Sequence, residues 1–167
     1  MNVLLAIDES PCSTAAIEAV INQCRPRDTV VRVLHVIRWP QTLPTSLMFV
    51  EGSWAADRVV RAHDEIRRRA QELVARAVCR LGQGRFKASP HVIEGEPREE
   101  ILAMAEAWPA DAIVLGSHGR KGLDRVLLGS VSDGVMRHAA CSVMVVREPA
   151  ADLRADAGRA ALTNGPR

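Results

Sequence analysis

The stretch Gly116-Ser117-His118-Gly119-Arg120-Lys121-Gly122-Leu123-Asp124-Arg125-Val126-Leu127-Leu128-Gly129-Ser130 gathers glycine, hydroxyl and basic residues between an apolar run and a segment with helical spacing. A glycine-bearing loop lets bare backbone N–H groups approach an anion, and the N-terminus of a following helix adds partial positive charge. Phosphate is the anion such geometry suits. Open parallel sheets hold ligands at the carboxyl ends of their strands, where the strand order reverses. That brings Asp8 and Val36, at the ends of two other apolar runs, into the same reading. Taken alone, glycines 116, 119, 122 and 129 also suit plain turns, and Asp8 equally suits capping the helix after it.

The other reactive side chains carry less. His118 lies inside the loop, but one histidine without a partnered carboxylate or nucleophile reads as a hydrogen-bonding loop residue, and no catalytic role is assigned to it. His35, on an apolar strand, reads as a packed residue. Cys12, in a first helical turn, reads as a small packing residue, with some thiolate character as the alternative. Arg67-Arg68-Arg69 marks a solvated helix face, and Arg120, Lys121 and Arg125 either reach phosphates or point into solvent. The cysteines at 12, 24, 79 and 141 have neither zinc-knuckle nor redox-pair spacing.

The elements that must position these residues follow from periodicity. Val3 to Ile7 is too short for a helix and reads as a buried strand. Ser10 is the expected N-cap and Pro11 the first residue of a helix with Ala16, Ile17, Val20, Ile21 and Cys24 on one face. Thr29 to Ile37 is a second buried strand, rich in β-branched residues. Residues 39–54 hold Pro40, Pro44 and Gly52 without a period and read as a long crossover loop. An amphipathic helix over 55–81 carries the stripe Ile66, Ala70, Leu73, Ala77 and Leu81 and is ended by Gly82-Gln83-Gly84. Phe86 to Glu94 is a third, less apolar strand, and a helix opening at Gly95-Glu96-Pro97 turns Ile101, Leu102 and Ala105 inward. Ala112 to Leu115 and Ser142 to Arg147 are the fourth and fifth strands, with a helix from Ser130 between them. Five apolar strands alternating with helices predict one α/β domain, a doubly wound, five-stranded parallel sheet. Residues 149–167 lack an apolar face and read as a mobile tail behind a domain of 1–148.

Composition narrows the function. The 167 residues favour one domain, and 47% hydrophobic with 25% charged residues is ordinary for a folded globular chain. A net charge of +2 supplies no field to hold a polyanion, and 3% aromatic residues leave few faces on which bases could stack. Nucleic-acid binding is therefore disfavoured. The first residues have no basic flank and reach an acid after five apolar residues, far short of a signal peptide or membrane span. A cytoplasmic protein is expected.

Gly116, two residues, Gly119, nine residues, then Gly129-Ser130 resembles the nucleotide-binding signature of the universal stress proteins. Val3 to Asp8 is similar to that family's first strand with its terminal acid, Leu34-His35-Val36 to its second strand and Ala112 to Gly119 to its fourth. The resemblance spans roughly residues 1–148 and implies a sheet order of third, second, first, fourth, fifth. In ATP-binding members it implies that Ala6, Ile7 and Asp8 edge the nucleotide, that the Val36 backbone faces adenine, and that Gly116, Gly119, Gly129, Ser130, Val131 and Ser132 hold ribose and phosphates. Asp8 would also help hold a magnesium ion. The expected function is that of an ATP-binding regulatory protein of the stress response, without efficient chemistry of its own, and a homodimer joined through Ser142 to Arg147. The alternatives are a slow ATPase or adenylyl-transfer enzyme, and an interaction module that has lost its nucleotide. The chain has no G-x-x-x-x-G-K-[ST] loop and no G-x-G-x-x-G fingerprint, which weighs against the first. The retained signature glycines weigh against the second.

Overall fold

The computed structural model describes residues 1–38, 53–117 and 128–147. Strands and helices alternate along them: β1 (Asn2–Ala6), α1 (Pro11–Gln23), β2 (Val30–Ile37), α2 (Ser53–Gln83), β3 (Lys87–Glu94), α3 (Pro97–Ala107), β4 (Ala112–Gly116), α4 (Ser130–His138) and β5 (Ser142–Val146). The strands form one sheet in the order β3-β2-β1-β4-β5, and every pairing is parallel. This is the expected doubly wound architecture, with the expected strand order.

The apolar runs become central strands because both of their faces are covered, as parallel sheets require. Val3, Leu5, Val31, Val33 and Val114 pack on one face with Ala16 and Val20 of α1 and with Val74, Ala77 and Leu81 of α2. The alternate residues Leu4, Ala6, Leu34, Ile113 and Leu115 pack on the other with Ile101 and Ala105 of α3 and Val135 of α4. The edges are less apolar or less covered. β3 carries Pro90, which an edge strand tolerates because one side of its backbone needs no partner. In β5, at the opposite edge, Val143 to Val146 are only half-buried.

Several boundaries differ from the sequence reading. β2 starts at Val30 and β3 at Lys87, one residue late in each case, while β5 stops at Val146, one residue early. The long helix begins at Ser53, so two residues assigned to the crossover loop are helical, and it runs on to Gln83. Its stripe is buried at Ala70, Ala77 and Leu81 and partly buried at Leu73, but Ile66 is 41% exposed because it stands beside the cleft rather than over the sheet. The glycines at 82 and 84 do not make its terminal reversal; Arg85 does, with φ 65°, while Phe86 N–H donates to the Leu81 carbonyl. Residues 39–52, the segment 118–127 and the expected tail 149–167 lie outside the described residues. No helix among the described residues is long and apolar enough to cross a membrane.

Candidate functional site

The chain leaves β1 toward β2 and β3 on one side and later returns to β4 and β5 on the other, so the strand order reverses beside β1. A cleft of about 640 Å³ lies at the carboxyl ends of the strands there. That size suits a small-molecule ligand. Ala6, Ile7, Asp8, Val36, Gly116, Gly129, Ser130, Val131 and Ser132 all line it. Gly119 and His118 lie outside the described residues.

Asp8 organises the turn from β1 into α1. Its Oδ1 accepts from the Ser10 N–H at 3.0 Å, from the Ser10 hydroxyl and from the Ser13 hydroxyl at 2.7 Å, while the Asp8 N–H donates to Ser13 Oγ at 2.8 Å. Ser10 is the N-cap, as expected, but its side chain makes no capping bond because it is turned back to Asp8. The charged acceptor at the helix start is thus the aspartate. All its described bonds converge on Oδ1, so Oδ2 remains to take one position on a cation. Among the described residues no group of three or more His, Cys, Asp or Glu assembles as a metal site. A magnesium ion held by one carboxylate and by ligand phosphates is compatible with that donor set.

Gly116 ends β4 directly against α1. A Cβ there would lie 2.7 Å from Cys12 Cβ, closer than real contacts allow, and a tight 3.1 Å from the Cys12 carbonyl carbon. The glycine permits this approach, and Cys12 is a buried packing residue with Sγ 3.8 Å from Ser117 Oγ. Beyond β4, the Ser117 N–H donates to the Val146 carbonyl at 2.7 Å. The Ser117 carbonyl in turn accepts from the Gly129 N–H at 2.8 Å and from the Ser132 hydroxyl at 3.0 Å; that hydroxyl also reaches the Gly129 carbonyl at 2.9 Å. Gly129 is the N-cap of α4 and brings no capping side chain. The N–H groups of Ser130, Val131 and Ser132 belong to the first turn of α4, the part of a helix whose amides have no intrahelical acceptor. The three residues line the cleft. Asp133, also in the first turn, is paired with Arg137 at 2.9 Å, and that guanidinium holds its carboxyl below the ordinary carboxylate range.

On the opposite wall β2 outruns β1. Their pairing ends at Ala6 with Leu34, followed by the Ile7 N–H donating to the Leu34 carbonyl at 2.9 Å. Backbone groups of alternate residues point to alternate neighbours, so the N–H and C=O of Val36 face the same side as those of Leu34, where β1 has already ended. His35, 8% exposed, is fixed by Nδ1 to the Ile7 carbonyl at 2.8 Å. Sequence reasoning missed the rim: Ile66, Arg69 and Ala70 of α2, Arg38 after β2, and Pro97 and Ile101 of α3 also line the cleft. Arg67, Arg68 and Arg69 do stand on an exposed face, but Arg69 reaches the cleft edge as well. It is tethered to Glu65 at 2.7 Å, and donation from Arg68 and Arg69 lowers the Glu65 carboxyl to about 2. Arg38 pairs with Glu96 at 2.6 Å.

A doubly wound parallel sheet with this cleft at its switch point defines an α/β fold of the nucleotide-binding kind. The sequence matches the universal stress protein family over residues 1–147, and the chain belongs to that family. It is 31% identical to a universal stress protein of Methanocaldococcus jannaschii over 147 residues, covering 88% of this chain and 82% of that one. The solved structure of a second universal stress protein of that organism superposes with a TM-score of 0.68 at 27% identity, covering 89% of this chain and 96% of the other. A universal stress protein of Archaeoglobus fulgidus, solved in complex with dAMP, shares the fold with a TM-score of 0.62 at 21% identity, covering 87% of this chain and 97% of its own.

Proposed function

We propose that the cleft binds an adenine nucleotide, with ATP and magnesium as the loaded form, and that the loaded state is the signal of a regulatory protein in the cytoplasmic stress response. The carrying observation is that nine residues from four separate stretches of sequence, singled out for one ligand, line one cleft. The complex of the Archaeoglobus fulgidus relative with dAMP supports the ligand class. The N–H and C=O of Val36 match the acceptor and donor on the edge of adenine. Ala6 and Ile7 edge the nucleoside, and the donors of Ser130 to Ser132, with Gly119 and Gly129 allowing close approach and Gly116 lining the cleft at the end of β4, take ribose and phosphates. Asp8 would hold the magnesium ion through Oδ2, and the ion would supply positive charge to the phosphate oxygens.

Turnover is expected to be slow, because the glycine segment holds no evident base to activate water. The half-buried edge of β5 supports a homodimer through Ser142 to Arg147 about a two-fold axis. Sedimentation checks this: a dimer is expected, weakened by Val145→Pro, and a concentration-independent monomer contradicts it. For the ligand, titration calorimetry with ATP, ADP and NAD is decisive. Affinity is expected to fall in that order, and to be lost in Gly119→Val. A folded Gly119→Val protein that binds ATP like its parent would place the site elsewhere.

A further inference from the structure

His35 is more than a packed side chain. The residue is 8% exposed, and its Nδ1 lies 2.8 Å from the Ile7 carbonyl. A carbonyl oxygen can only accept, so the proton of that bond belongs to Nδ1, and the neutral ring presents a lone pair at Nε2. Among the described residues nothing donates to that lone pair. A buried acceptor without a donor is costly and calls for a missing partner. The residue lines the cleft together with Val36, Ile66 and Ala70. The walls near it therefore offer mainly apolar surface, with Nε2 as a polar feature that the fold itself leaves unanswered.

We infer that His35 Nε2 is a specificity-determining acceptor of this cleft, taking a hydrogen bond from an N–H or O–H of the bound nucleoside. The inference rests on the nucleotide reading above and adds the requirement that the nucleoside bring a donor there. Three donors shared by ATP and adenosine qualify, the 6-amino group of the base and the 2′- and 3′-hydroxyls of the ribose. The bond to Ile7 fixes both ring orientation and tautomer, so the acceptor is set before ligand arrives. A ligand lacking the donor would leave Nε2 desolvated and unpaired, which is how a buried polar group rejects a near-isostere.

The test is calorimetry on the full chain with ATP, adenosine, N6,N6-dimethyl-ATP, 2′-deoxy-ATP and 3′-deoxy-ATP, using the parent and two variants. His35→Asn can keep a donor to the Ile7 carbonyl, near the place of Nδ1, while removing Nε2; His35→Phe removes both nitrogens. His35→Asn is expected to lose about five- to tenfold in affinity, the worth of one hydrogen bond, for ATP and adenosine alike. It should lose nothing for whichever analogue lacks the interacting donor, and that analogue identifies the source. His35→Phe should lose at least as much and also melt lower. Equal ATP affinity in the parent and folded His35→Asn overturns the role of His35 but leaves the nucleotide site standing. A loss confined to ATP and absent for adenosine overturns it too, because it would mean contact with phosphate. A parent that binds neither ATP nor adenosine overturns the site and this inference together.

Discussion

Of the helices that begin at the cleft, α1 and α4 answer their unpaired amides in opposite ways. At α1 the protein fills the position itself: the Asp8 carboxylate accepts from the Ser10 backbone and from the hydroxyls of Ser10 and Ser13. At α4 the N-cap is Gly129, the Ser132 hydroxyl is turned back onto carbonyls, and Asp133 is drawn off by Arg137. Both helix starts carry the same partial positive charge. One is already neutralised and the other is open, so an anionic ligand should sit at α4, while Asp8 serves chiefly as framework and as one position for a cation.

Breaking the framework at its tightest point should have the largest effect. Gly116→Ala forces a Cβ against Cys12 and is expected to destabilise the protein by about 1–3 kcal/mol in urea unfolding, with part recovered by adding Cys12→Gly. No loss in the single variant would mean that α1 is not seated on β4 as described. Asp8→Ala removes the acceptor of three donors and should cost about 1–2 kcal/mol by the same measurement. Asp8→Asn keeps an acceptor and should cost less, yet abolish any magnesium-dependent part of ATP affinity. An Asn variant that retains that part removes Asp8 from the cation's shell.

Ser132→Ala sharpens the comparison from the other side. Its hydroxyl bonds two framework carbonyls, so about 1 kcal/mol of stability should be lost while ATP affinity changes little. A large fall in affinity with unchanged stability would instead give the hydroxyl to the ligand. The smallest effect belongs to Glu65 on the rim. Its carboxyl titrates lower in the folded protein, so its pairing with Arg68 and Arg69 stabilises above the unfolded value of 4.5 and is lost as pH falls toward about 2. Both partners are exposed, so salt should screen the effect. Thermal melting across that range should fall less steeply in Glu65→Gln than in the parent.

The fold was legible because β1, β2 and β4 are nearly unbroken runs of Val, Ile and Leu at strand length, and helical stripes separate them. Tertiary distances were not legible. Gly116 reads as a place for a ligand to approach, and only the fold shows that Cys12, far away in sequence, occupies the space a side chain would need. Ser10 reads as the cap, whereas the bonds run to Asp8, because side-chain direction depends on where the chain comes from as well as on spacing. Arg69 follows the solvated face of a helix, but that helix passes the cleft, which no local period records. His35 looks like packing because burial was foreseeable while the single bond that fixes its tautomer was not.

The most direct test of the account is residue-by-residue amide hydrogen exchange with and without saturating ATP. The amides of Ser130, Val131 and Ser132 in the first turn of α4, and of Val36 beyond the end of β1, should exchange fast in the free protein and slow markedly in the complex. Those of Ser10 and Gly129, already bonded to Asp8 and to the Ser117 carbonyl, should gain little. Unchanged exchange at Ser130 to Ser132 under saturating ATP would contradict the claim that the open start of α4 is the anion site.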